Sequence, residues 1–309
     1  VSKTAIDYLT VTFAAVPHEE VLRGLSLITT AKVTASDLPH GGNGFERAMQ
    51  VRVFSDRFSM MPLCRVFWGG EAQRGRMMID MTGQCCASIE RWDALRLWLE
   101  TLPEVRITRC DVACDVYEGT VDVDDCVSWY KAGEFITRGR APKSSTAGDW
   151  IGGVRGRTFY VGDSKNGKLL RCYEKGKELG DFESPWVRFE VQFGKRDRVI
   201  PFDILTDPDL YFVGAYPAME RVLQGAGERI KTIIKEAFIS VGVMCTHLKR
   251  TYGKYLHVLQ QGGVSDTDMV EAIRIRELPR RIQTAAVVAD VLTDTTKRSF
   301  NEWRAKWQQ

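Results

Sequence analysis

Two stretches of this chain carry side chains able to do chemistry together. The first reads Ile107-Thr108-Arg109-Cys110-Asp111-Val112-Ala113-Cys114-Asp115-Val116. In an extended chain, period two puts Cys110, Val112, Cys114 and Val116 on an apolar face and Arg109, Asp111, Ala113 and Asp115 opposite. The second stretch, Arg157 to Phe193, holds three strand-like segments: Arg157–Gly162, Leu169–Lys175 and one that begins at Trp186. Arg171, Tyr173 and Lys175 share a face of the middle segment. In the last, Val187, Phe189, Val191 and Phe193 point one way and Arg188, Glu190 and Gln192 the other. Asn166-Gly167, between the first two segments, is a hairpin signal because both residues tolerate positive φ.

Two carboxylates on one sheet face repel, and their burial is costly unless a cation sits between them. Asp111, Asp115 and Glu190 would make an all-oxygen set, which suits Mg²⁺ or Mn²⁺ rather than zinc. A metal beside a phenol flanked by Arg171 and Lys175 points to phosphoryl transfer through a covalent tyrosine intermediate. A free tyrosine titrates near 10, so a positive environment is needed to favour the phenolate. Tyr173 is the preferred nucleophile. Tyr160 also lies on the polar face, opposite Phe159 and Val161, and alternation does not exclude it. Arg109, Arg171 and Arg188 either clamp phosphate or neutralise the carboxylates.

These residues need a sheet to hold them, and the rest of the chain supplies one. Asp7–Phe13, Arg47–Phe54, Leu63–Trp68 and Arg76–Met81 read as strands. Helices are expected over His18–Ile28, from an N-cap at Ser88 through Leu99, and over Val123–Ala132. Gly41-Gly42-Asn43-Gly44 lacks the context of a phosphate-binding loop and is read as a turn. Arg138 to Arg157, rich in Gly, Ser and Arg, reads as a linker. It is either a plain connector or a single-strand contact, its cations tracking phosphates while Trp150 stacks on a base. After a loop through Pro201, Pro208 and Pro217 the chain is expected to be helical, over Ala218–Leu223, Glu228–Tyr255, Ser265–Arg276 and Arg281–Leu292. Arg280 and Arg281 lie in an arginine cluster at a helix break. The fold class is therefore α+β, with a catalytic unit over 1–215 and a helical region over 216–309.

The chain has 309 residues and carries no long apolar run. A soluble, cytoplasmic protein without membrane contact is expected. Its eight cysteines include no CxxC pair and are read as reduced core thiols. From Tyr216 onward there are 15 Lys/Arg against 10 Asp/Glu, so the first 215 residues carry −2 of a net +3. A basic end joined to an acidic site fits a polyanionic ligand such as DNA.

The run Arg157-Thr158-Phe159-Tyr160-Val161-Gly162, the RCYEKGKE of Arg171–Glu178, the VRFEVQF of Val187–Phe193 and the RCDVACD of Arg109–Asp115 resemble the replication-initiation-factor family. That family comprises rolling-circle initiators of filamentous phages and small Gram-positive plasmids, with conjugative relaxases as relatives. The match spans most of residues 105 to 217, and its wording is nearer the phage branch. The resemblance implies an enzyme that nicks one strand at an origin, keeps the 5′ end on a tyrosine and rejoins it. It also implies a central antiparallel sheet with flanking helices, related to the His-hydrophobe-His endonucleases. The four histidines, His18, His40, His247 and His257, form no such motif. Carboxylates would then replace imidazoles at the metal. Implied partners are single-stranded and duplex origin DNA, met by Arg109, Arg188, Arg155, Arg157, Arg280 and Arg281, with a host helicase and a second copy as further candidates. A binding module without strand transfer is the alternative.

Overall fold

The alternation along these segments is realised in a ten-stranded antiparallel sheet of order β2-β3-β4-β5-β1-β6-β10-β9-β8-β7. The structure is a computed structural model and describes residues 4–29, 32–54, 61–137, 139–152, 155–196, 198–225, 245–246, 248–274, 300–301 and 304. The strands are β1 (Thr4–Ala14), β2 (Val33–Asp37), β3 (Arg47–Val53), β4 (Met61–Trp68), β5 (Arg76–Met81), β6 (Arg106–Val116), β7 (Ser144–Gly148), β8 (Arg157–Asp163), β9 (Lys168–Tyr173) and β10 (Val187–Gly194). The helices are α1 (His18–Ser26), α2 (Gly83–Cys86), α3 (Trp92–Leu99), α4 (Val123–Lys131), α5 (Lys175–Glu178), α6 (Pro208–Ala215) and α7 (Met219–Gly225). Residues 248–261 and Asp266–Ile273 are also helical.

One face of the sheet is apolar and gathers the helices. Leu9, Val11, Val112, Cys114, Phe189, Val191 and Cys172 share a core with Val21 and Leu25 of α1, Leu95 and Leu99 of α3, Cys126 of α4, Phe212 of α6 and Val222 of α7. Each large apolar side chain so buried contributes about 1.5–3 kcal/mol. A slip of one residue in β6 or β10 would turn that set to water and bring the acids inward, so the core fixes the register of the polar face. All eight cysteines are buried and none is in a disulfide, as expected. Tyr216, Ala218, Met219 and Val222 belong to the same core, so the core continues past the division expected after residue 215.

Several elements depart from expectation. The middle strand ends at Tyr173, and Lys175 opens α5 instead of sharing the face of Arg171 and Tyr173. Glu174 turns the chain there, accepting from the Arg157 backbone N–H at 2.7 Å and from Lys177 Nζ at 3.1 Å. Glycine at 176 lets α5 nest against Ser184, whose Cβ would stand 2.3 Å from an added methyl. The expected linker contains β7, paired along β8 from Ser144↔Val161 to Gly148↔Arg157. Small polar residues gave no apolar pattern to reveal it. The region of Pro208 is helical, with the proline in the first turn where its missing N–H costs nothing. Ser88 bonds back to the Gln84 carbonyl at 3.1 Å, and α3 begins later, at Trp92. Arg280, Arg281 and the helix expected over 281–292 lie outside the described residues. Among the described residues no helix is long and apolar enough to cross a membrane.

Candidate active site

Cross-strand register assembles the polar face. Tyr8 of β1 lies opposite Asp111 of β6, and Asp111 lies opposite Gln192 of β10. Asp115 faces Arg188, Ala113 faces Glu190, Glu190 faces Arg171 of β9, and Arg188 faces Tyr173. Tyr160 of β8 pairs with Arg171, and Thr158 with Tyr173. Directly opposed side chains in an antiparallel pair project to the same side, so these residues form one surface.

The three strand arginines are engaged by carboxylates. Arg109 grips Asp111 through Nε–Oδ1 at 2.9 Å and a second bond to Oδ2 at 2.5 Å, and lies 4.0 Å from the centre of the Tyr8 ring. Arg188 is buried and grips Asp115 through two 2.8 Å bonds, while its third nitrogen reaches Asp7 at 3.1 Å. Trp186 Nε1 adds a 2.7 Å bond to Asp115. Arg171 donates to Glu190 at 2.7 Å and to Gln192 at 2.6 Å, and stands 3.6 Å from Asp111. Of the two sequence readings for these guanidiniums, the structure shows Arg109 and Arg188 paired with acids. Arg157 is likewise committed, to Asp124 at 3.0 Å and Glu174 at 3.2 Å.

Asp7 is the site residue that sequence reasoning missed. β1 slips register between Ile6 and Tyr8, so Asp7 is an extra residue in the strand. Such a bulge re-aims a side chain. The signal was present: Ile6 and Leu9 are three apart, where strict alternation requires two.

Asp7 works against Glu190. Burial first, and then the charge of Asp7, push the Glu190 carboxyl up to about 7, with Arg171 opposing. Burial also raises the Tyr173 phenol, which Glu190 and Asp7 push further while Arg188 pulls it down. The cations expected to favour a phenolate are also paired with acids: Lys175, whose Nζ lies 5.7 Å from the centre of the Tyr173 ring, pairs with Glu178 at 2.9 Å, and Arg171 pairs with Glu190. The Tyr173 hydroxyl lies 3.5 Å from Glu190 Oε2. A cavity of about 430 Å³ opens over this point, lined among others by Tyr160, Tyr173, Arg171, Glu178 and Glu190. Both candidate tyrosines thus share one pocket.

The expected metal set does not assemble. Among the described residues no three His, Cys, Asp or Glu side chains are grouped to hold an ion. Asp111 and Asp115 share the face with Glu190, but each has both oxygens taken by a guanidinium. Asp7 is bonded to Arg188 through Oδ1 alone, and Mg²⁺ is commonly held by one or two carboxylates with waters and phosphate completing its shell.

The sequence pattern of the replication initiation factor family matches residues 105–273, more than half of the chain. The chain belongs to that family. A solved structure titled as that of a rolling-circle replication initiator protein from Geobacillus stearothermophilus is similar at 27% identity, covering 62% of this chain and 74% of that one, with a TM-score of 0.47. No curated protein matches. In this replication initiation factor the matched stretch carries Asp111, Asp115, Tyr160, Tyr173 and Glu190. Asp7 and Tyr8 come from β1, which precedes it.

Proposed function

We propose that this replication initiation factor nicks one DNA strand at an origin through Tyr173, holds the 5′ end as a phosphotyrosine and rejoins it. The observation that carries the reading is the Tyr173 hydroxyl beside Glu190 in a pocket open to a strand. Burial keeps the phenol neutral until a strand is bound. Glu190, titrating near 7, is the group placed to accept its proton. Arg188, held by Asp115 and Asp7, is the guanidinium that favours the phenolate. The phenolate oxygen then attacks the scissile phosphorus in line, forming an O–P bond as the 3′ oxygen leaves. Reversal of the step rejoins the strand without an external energy source, because the phosphodiester bond energy is kept in the phosphotyrosine. Asp7 would help to hold Mg²⁺ or Mn²⁺, which would offset the charge of the acidic face and polarise the phosphate, leaving Glu190 to take the proton.

Incubation of the full chain with 5′-blocked, 3′-labelled single-stranded DNA of its replicon and Mn²⁺, followed by denaturation, tests this. Labelled protein is expected from wild type and from Tyr160→Phe, and none from Tyr173→Phe. An adduct surviving Tyr173→Phe and lost in Tyr160→Phe would reassign the nucleophile. Tight binding without any adduct would favour an origin-binding protein without strand transfer.

A further inference from the structure

The β7–β8 hairpin is left over when the pocket has been described. β7 is an edge strand of the sheet, and all five of its residues, Ser144 to Gly148, are exposed. Edge strands usually carry a cover or a blocking device, because their outward amides and carbonyls have no partner. Here the outer side shows hydroxyls and small side chains. Ser145 sits directly across from Tyr160, so the strand runs flush with the pocket wall.

Charge along this edge is one-sided. Arg140, Lys143 and Arg155 are exposed and form no ion pair among the described residues. Asp149, in the turn between the two strands, accepts from the backbone N–H of Gly152 at 2.6 Å and of Arg155 at 3.4 Å. Trp150, expected to stack on a base, instead packs against Phe159 with ring centres 6.5 Å apart and donates its Nε1 to the Ala147 carbonyl at 2.9 Å. Its neighbour Ile151 is fully exposed, with a relative accessibility of 102%.

We propose that this edge is a track for single-stranded DNA leading into the pocket, with Arg140, Lys143 and Arg155 on the phosphates, Ser145 at the pocket wall and Ile151 against a base. A protein strand added to the edge would want pockets for alternate side chains, and the Ser-Ser-Thr-Ala-Gly face offers none. A polyanion needs only cations, hydroxyls and close approach, which small residues allow. The proposal rests on the strand-cleaving reading for its direction and is tested without it.

The test is binding of fluorescent dT20 to the full chain in chelator, where cleavage plays no part, over a range of salt. For single strands the slope of log K against log salt is about 0.7 per phosphate neutralised, so the triple variant Arg140→Ala/Lys143→Ala/Arg155→Ala should flatten the slope by about 2. Ser145→Glu should weaken binding about tenfold, and Ile151→Ala by a few-fold without changing the slope. All five positions are exposed, and unchanged thermal melting will show that the fold is kept. A triple-variant slope within about 0.5 of wild type overturns the proposal. So would a salt-independent dimer in sedimentation that is lost in Thr146→Pro, since that gives the edge to a second copy. Missing adducts with the slope change intact would sink the nicking reading and leave the track.

Discussion

Glu190→Gln should gain stability relative to wild type as pH rises, while it disables the site. Glu190 titrates near 7 in the fold, against about 4.5 for an ordinary glutamate. Below the lower value it is protonated in both states. Between the two the folded protein holds a proton that the unfolded chain has released, so the stability this proton supplies is lost as pH rises and is gone above about 7. Glutamine does not titrate. The difference in unfolding free energy, variant minus wild type, must therefore grow with pH, whatever the constant cost of losing the 2.7 Å ion pair with Arg171. Integrated over that window, the linkage gives a growth on the order of 2–3 kcal/mol between pH 5 and pH 8. Urea unfolding followed by circular dichroism at the two pH values, in chelator and with equal m-values, measures it. Because Asp7 is the second cause of the shift after burial, Asp7→Asn in both backgrounds should shrink the growth. A difference that stays constant with pH within about 0.5 kcal/mol, or falls, would mean that the Glu190 carboxyl is not raised in the fold, and the enhanced basicity assigned to it as proton acceptor for Tyr173 would be wrong.

Ala113 is buried between the strand positions of the acids, opposite Glu190 on one side and Ala5 on the other. Ala113→Leu should wedge Asp7 from Glu190, cost about 1–3 kcal/mol by overpacking, and lower strand cleavage at least tenfold with little loss of dT20 binding; equal losses in both assays would count against a seat at this point. Arg188→Met should destabilise by about 3–5 kcal/mol, because Asp115 and Asp7 are left without their shared guanidinium; urea unfolding of the variant beside wild type measures the loss.

Strict alternation made the centre of the molecule readable. In β6 and β10 the apolar residues occupy every second position, so the face, the acids and the phenol of β9 follow from period two alone. Which arginine meets which acid did not follow, because that depends on register between strands far apart in the chain. Arg188 and Asp115 are 73 positions apart, and only pairing across β6 and β10 brings them together. Lys175 was misplaced for a local reason: nothing in Glu174-Lys175-Gly176 marks the turn, which is made by a contact from Glu174 to Arg157 on the neighbouring strand. β7 was missed because an edge strand with both faces exposed has no core to leave a pattern in its sequence.

The bulge at Asp7 joins these points. A strand that must send both Ile6 and Leu9 into the core cannot do so at a spacing of three without one extra residue, and that residue has to lie on the opposite side with Tyr8. The core therefore dictates an acid where a regular strand would have none. Its nearest cation, Arg188, is already held twice by Asp115, so the added charge is only partly compensated and falls on Glu190. The poised carboxyl beside Tyr173 is in this sense a product of packing on the far face of the sheet. The raised carboxyl here needs no residue of unusual chemistry, only one extra residue in β1.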